Sequence, residues 1–112
     1  MKHKKADIVA RRQLVKDGEA YEVLIERPRY RRKVQDFACR WSLVDDTGAV
    51  VLSLKMYGGD SIDALTHALL IIGIRLGPAF TLPGGTDSGF PVYERSDTPG
   101  KFGRWRLSVD DG

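Results

Sequence analysis

The chain is poor in the residues that build most metal and redox sites: it has one cysteine, Cys39, and two histidines, His3 and His67. A single cysteine excludes an internal disulfide and a multi-cysteine metal site. The longest apolar run, 68–74, is much shorter than the roughly 20 residues of a membrane span. No apolar signal core follows the basic N-terminus. We therefore expect a cytoplasmic protein without metal, cofactor or membrane partner.

Length and composition predict one domain. A chain of 112 residues buries about 65% of its unfolded surface in a single core. Its apolar content of 42% and charged content of 29% are ordinary for a globular protein and argue against global disorder. We expect residues 1–112 to form one domain, with residues 1–5 as a flexible basic N-terminus.

Charge is distributed unevenly along the chain. Residues 1–40 hold twelve Lys and Arg against six Asp and Glu, and residues 41–112 hold six against nine. The densest positive cluster is the basic segment 27–33. Its charge is compatible with three interpretations: a phosphate-binding site, a site for an acidic protein, or a solvated face without a partner. Its candidate partner-binding residues are Arg29, Tyr30, Arg31, Arg32 and Lys33.

Alternating apolar residues predict four antiparallel strands joined by short turns. Asp17-Gly18 is a strong signal for a hairpin turn between the first two strands. Pro28 ends the second strand, and we expect the basic segment to be a solvated connection. The four predicted strands are 8–14, 21–26, 37–44 and 50–57.

A helix is predicted from about 60 to 76. Asp60 caps its first free N–H groups, and Asp63 is placed for a reciprocal cap. Gly77 suits a left-handed C-terminal position, and Pro78 cannot continue the helix. Spacings of three and four place five apolar residues on one stripe that covers the sheet. These residues are Ile62, Leu65, Leu69, Ile72 and Leu76.

Other helix residues need a second neighbour. Gly73 lies near the stripe, and a glycine inside a helix indicates a close backbone approach, which we expect to involve the sheet. Leu70, Ile71 and Ile74, the spare helix face, point away from the stripe. Their cover is either the C-terminal third of the chain or another protein molecule, including a second copy.

The segment after Pro78 is rich in Gly, Pro, Ser, Thr and Asp, which predicts a long loop that wraps the helix. Alternation at 104–109 suggests a short fifth strand. The fold class is therefore α+β, a four- to five-stranded antiparallel meander with one long helix on one face and a C-terminal wrapping loop.

Gly59-Asp60-Ser61-Ile62 resembles the nucleophile block of GDSL-type hydrolases. Those enzymes activate the serine with a histidine late in the chain, but no histidine follows His67 here. We therefore favour a helix cap followed by a first-turn serine. A small hydrolase around Ser61 remains the least favoured function.

The helix also carries a longer pattern, Gly59-Asp60-Ser61-x-x-Ala64-Leu65-x-x-Ala68-Leu69, followed downstream by Gly89-Phe90-Pro91. This pattern resembles that of a family of short bacterial proteins of unknown function, in which a sheet leads into one helix. The extra glycine at Gly58 departs from it. The resemblance implies an architecture and no catalytic residue.

Related-looking small bacterial proteins with a sheet and one helix often act as immunity or adaptor proteins, which is an analogy. We predict a non-enzymatic protein-binding module of this kind, or a homodimer, that uses the spare helix face or the basic segment. The alternative is a nucleic-acid-binding protein that uses the basic segment.

Overall fold

The computed structural model of the chain describes residues 7–94 and 104–106, and side chains for residues 7–91. The predicted flexible N-terminus, residues 1–5, lies outside them, as do residues 107–109 of the predicted fifth strand. No helix in the described ranges is long and apolar enough to cross a membrane. In chain order the elements are β1 (Ile8–Lys16), β2 (Glu19–Glu26), β3 (Arg29–Arg31), β4 (Asp36–Asp45), β5 (Val50–Gly58), α1 (Ser61–Leu76), β6 (Val92–Glu94) and β7 (Arg104–Arg106).

The predicted α+β class is confirmed: α1 packs on one face of a five-stranded antiparallel sheet. Strand β4 is central, with β5 on one side and β2 on the other, and β1 pairs with the outer side of β2. Trp41 lies opposite Ile25 of β2 and Leu54 of β5. It is fully buried, and so the core is centred on the middle of β4.

The turn between β1 and β2 forms as predicted. Asp17 and Gly18 both have positive φ, 53° and 77°, which a two-residue hairpin turn of this kind requires. Lys16 and Glu19 close the ladder on either side.

The basic segment is not only a solvated connection. Its residues Arg29–Arg31 form β3, which pairs with Asp36–Ala38 of β4. Pairing uses backbone groups, so arginine side chains can remain in water while the strand forms. Pro28 separates β2 from β3, and the two strands pair with different halves of β4.

The start of α1 is capped reciprocally, as predicted. The Asp60 carboxylate accepts from the backbone N–H of Asp63 at 2.7 Å, and the Asp63 carboxylate accepts from Gly59 N–H at 2.9 Å. The prediction for Gly77 was wrong, because this residue is right-handed, with φ −52° and ψ −41°. After Gly77 the backbone continues in a helix-like turn, in which the N–H of Phe80 bonds to the carbonyl of Leu76. The helix therefore ends without a left-handed residue at Gly77.

The residues of α1 that face the sheet differ in part from the predicted apolar stripe. Ile62 is 75% exposed, whereas Ala64, Ala68, Ile72 and Leu76 are buried. These four residues repeat every four positions and form a single row on the helix surface. The two alanines let the helix approach β4 and β5 closely, and this contact sets the rotation of the helix. Leu65 and Leu69 flank the row and are partly buried.

The C-terminal segment completes the core over β1 and β2. Phe80 and Phe90 are buried, and the Phe80 ring meets Tyr21 edge to face at 5.1 Å. Gly73 does mark a close backbone approach, but its neighbour is the Pro91 carbonyl of this segment and not the sheet. The predicted wrapping loop therefore packs on the helix, and its strand β6 pairs with β7.

Candidate binding groove on the open face of the sheet

One face of the sheet carries the core, and the described residues leave the other face open. Successive strand residues point to opposite faces, so the residues beside Trp41 on β4 point away from the helix. Arg40 lies opposite Lys55 of β5, and Ser42 lies opposite Ser53. These four positions in the middle of the open face are therefore polar, in contrast to the apolar face under α1.

A groove of about 340 Å³ lies on this face where Pro28 separates β2 from β3. We call it the basic groove, because five of its residues are cationic and one is acidic. Its lining residues are Glu26, Arg27, Arg29, Tyr30, Arg31, Ala38, Arg40 and Lys55. A concave surface with this excess of cations suits an anionic ligand.

Arg31 is held in place by two contacts. Its Nε and Nη2 donate to the two carboxylate oxygens of Asp36 at 2.6 and 2.7 Å, and its Cζ lies 4.2 Å from the ring centre of Tyr57. The hydrogen bonds from Arg31 lower the pKa of Asp36, and the same contact raises the pKa of Arg31. Two parallel N–H···O bonds fix the plane of the guanidinium.

This pair predicts an acid-dependent loss of stability. The pKa of Asp36 is lower in the folded than in the unfolded state. Its contribution to the free energy of unfolding is therefore fully present above the unfolded-state pKa of about 4. This contribution is lost as pH falls further, through the folded-state pKa. An NMR titration should find this pKa below that of an ordinary aspartate, and Arg31→Ala should raise it. Arg29→Ala, on the same strand, is the control. An unchanged Asp36 pKa in Arg31→Ala would contradict the pairing.

The other groove cations differ in how far they are neutralised. Arg27 pairs with Asp7 through an Nε–Oδ2 distance of 2.5 Å. Arg40 donates to the Ser53 hydroxyl at 2.9 Å, and its Nε lies 4.0 Å from Glu26. Within residues 7–91, no ion pair involves Arg29 or Lys55, and both are exposed. These two are the cations most available to a ligand.

The opposite end of the sheet is acidic. A second groove, of about 330 Å³, is lined there by Glu22, Asp45, Asp46 and Tyr21, among others. Burial, followed by the charge of Glu19, raises the pKa of the Tyr21 hydroxyl. We call this region the acidic end. The sheet therefore has one positive and one negative end.

The structure brings together only part of the predicted basic set. Arg29, Tyr30 and Arg31 line the basic groove, whereas Arg32 and Lys33 lie in the exposed turn that follows β3. Arg27 and Arg40 belong to the wider basic cluster that the sequence indicated, whereas Lys55 was not predicted. Lys55 and Arg40 become neighbours only through the register of β4 and β5, and nothing in their local sequence marks this pairing.

The spare helix face is smaller than predicted. Ile71 packs against the core, Leu70 is half-buried, and Ile74 is 52% exposed. The rotation of the helix that buries Ala64 and Ala68 also draws Ile71 toward the core. Ile74 is the one clearly exposed member, which is little surface for a docked protein.

Ser61 and His67 are not joined by a hydrogen bond within the described residues. His67 instead directs Nδ1 to the carbonyl of Tyr57 at 2.6 Å, and its Nε2 lies 3.6 Å from the Asp63 carboxylate. Ser61 is the first residue of α1 and is exposed. Among the described residues, His67 is therefore engaged with Tyr57 and Asp63 and does not act as a base for Ser61.

Cys39, the single thiol, is buried on the core side of β4 and donates to the Glu26 carbonyl at 3.4 Å. Burial raises its pKa, so it is not activated as a nucleophile. No group of three or more His, Cys, Asp or Glu side chains in the described ranges is arranged to hold a metal ion.

Comparisons of the chain with protein-family models, curated proteins and solved structures find no match. The resemblance of the helix pattern to a bacterial family stays a prediction, and the basic groove is the candidate functional site.

Proposed function

We propose that this chain is a non-enzymatic, cytoplasmic protein-binding module whose basic groove holds an acidic segment of a partner protein. The observation that carries this proposal is the pair of exposed cations, Arg29 and Lys55, which have no ion-pair partner within residues 7–91. They flank Arg31 and Arg40, whose positions are already set by hydrogen bonds. A carboxylate-bearing segment would meet a site that is partly preorganised.

The charge pattern of the whole face favours a protein over a nucleic acid. A nucleic-acid strand carries one negative charge per nucleotide and needs a positive track along its path. Here the track ends within one groove, and Asp45 and Asp46 repel phosphates at the acidic end, where Glu22 is paired with Arg11. Glu26 also lies in the wall of the basic groove. A protein surface can match both ends, because its own charges alternate in sign.

Arginine geometry supports carboxylate as the ligand group. Arg31 already binds a carboxylate through two parallel hydrogen bonds. Arg29 lies two residues away on the same strand, so its side chain projects from the same face. A second carboxylate, supplied by the partner, would bind Arg29 in the manner that Asp36 binds Arg31.

The proposal is tested with a fluorescein-labelled glutamate-rich peptide, measured by anisotropy at low salt. The double variant Arg29→Ala, Lys55→Ala should weaken binding by about fivefold, because exposed ion pairs contribute about 0.2–1 kcal/mol each. Arg75→Ala removes one exposed charge from the last turn of α1, outside the groove, and is the control for each single charge removed. It should leave the affinity nearly unchanged.

The same titration with a single-stranded oligothymidine of equal charge separates the two partner classes. Tighter binding of the oligothymidine, with a steep loss on adding salt, would move the function to nucleic-acid binding. Absence of peptide binding at low salt, or an equal loss in Arg75→Ala, would remove the basic groove as the site.

A further inference from the structure

The two edges of the sheet are not alike. The outer edge of β1 is partly closed by Thr81, whose backbone exchanges hydrogen bonds of 2.8 and 3.0 Å with Val15. Strand β5 forms the other edge, and within the described residues no strand pairs with its outer side. Nine residues long, it leaves a row of backbone donors and acceptors unpaired by any strand of the described chain.

The composition of β5 gives its edge little protection, although the register with β4 shifts at Val51, where the strand carries one extra residue. It has no proline and a single charged residue, Lys55. Val50 and Val51, at its beginning, are 62% and 55% exposed. At its other end His67 contacts the Tyr57 carbonyl, so Val50–Met56 is the part of the strand that remains open.

The charges at the two ends of β5 are complementary. The strand begins after the turn that carries Asp46, which is exposed and has no ion pair within residues 7–91. It runs toward the basic groove, where Lys55 is likewise exposed and unpaired. If two such strands run antiparallel, the acidic beginning of each lies beside the basic end of the other.

We propose that a second copy of this chain pairs antiparallel with β5 along Val50–Met56, around a two-fold axis at Ser53. In this register Val51, the extra residue at the bulge, lies beside Lys55 of the second copy, whose apolar stem covers the exposed valine. The lysine ammonium then points toward the turn that carries Asp46. Two sheets of five strands would join into one continuous sheet, and two-fold symmetry forms every contact twice.

A second copy fits this edge better than an unrelated peptide, because β5 and the turn before it supply both halves of the match of charge and apolar surface. The contact of Val51 with Lys55 uses one residue from the beginning of β5 and one from near its end, whereas Ser53 faces its own copy on the two-fold axis. The pairing shares Lys55 with the basic groove but does not depend on the function proposed for that groove, and Val51→Lys tests the pairing at a residue outside the groove.

Sedimentation velocity from low micromolar to near-millimolar protein tests the pairing. The chain should convert from monomer to dimer as concentration rises, and Val51→Lys should weaken the dimer by about tenfold or more, which corresponds to about 1.4 kcal/mol. Val9→Lys is the matched control, because Val9 lies on the opposite edge strand and is 45% exposed. It should leave the dimer unchanged.

A charge exchange provides a readout that loss of folding cannot imitate. Asp46→Lys and Lys55→Asp should each weaken the dimer, and the double variant should recover most of the lost affinity. A monomer at every concentration would overturn the proposal. A dimer that Val9→Lys weakens as strongly as Val51→Lys, or that the charge exchange does not restore, would overturn it as well.

Discussion

Ile72→Ala should lower the free energy of unfolding by about 2–5 kcal/mol, as expected for truncating a fully buried isoleucine. The Ile72 side chain is 0% exposed and belongs to the buried row of α1 over the sheet. Its removal leaves a cavity between helix and sheet that the rigid strands cannot fill. Urea unfolding, compared at equal slope with the unaltered chain, measures the loss.

Ile62→Ala is the matched control, with the same substitution in the same helix. Ile62 is 75% exposed, so its truncation should change the free energy of unfolding by no more than about 0.5 kcal/mol. Comparable losses for the two variants would show that Ile62 does face the sheet. The pair therefore tests the rotation of the helix directly.

Gly73→Ala should destabilise the protein by about 1–3 kcal/mol, although alanine is the better helix former. In an exposed helix interior this change would instead stabilise by about 1 kcal/mol. At Gly73 the added Cβ would overlap the carbonyl oxygen of Pro91, which belongs to the backbone of the wrapping segment. The helix and the segment would have to separate, and contacts of buried Phe90 would be strained.

Thr66→Ala separates helix propensity from packing. Thr66 is exposed in the same helix, so alanine there should stabilise by a few tenths of a kcal/mol. The two variants should therefore shift thermal unfolding in opposite directions. If Gly73→Ala stabilises as Thr66→Ala does, residues 90–91 do not pack against α1.

The basic groove follows from one interruption in the sheet. Pro28 stops β2, and the chain resumes pairing with β4 as β3, so arginines on both sides of the break converge on one depression. The bidentate contact of Arg31 with Asp36 stabilises the short strand at its turn. A proline that limits the length of a strand thus also shapes the candidate binding surface.

Local signals in the sequence were sufficient for most of the elements. The positive φ of Asp17 and Gly18, the reciprocal cap of Asp60 and Asp63, and alternation in β4 all depend on near neighbours in the chain. Such signals are short-range, so reasoning from propensity and periodicity finds them. Fold class follows from their order, because short turns make consecutive strands antiparallel.

The tertiary structure alone decided three features. It set the rotation of α1, where the small Ala64 and Ala68 lie against the sheet and the larger Ile62 stays in solvent. It assigned Gly73 to a neighbour from the C-terminal segment. It placed Lys55 beside Arg40. Each of these three features depends on a contact between residues that are distant in the chain. Close packing selects such contacts by the shapes of the side chains, and a local sequence pattern does not predict them.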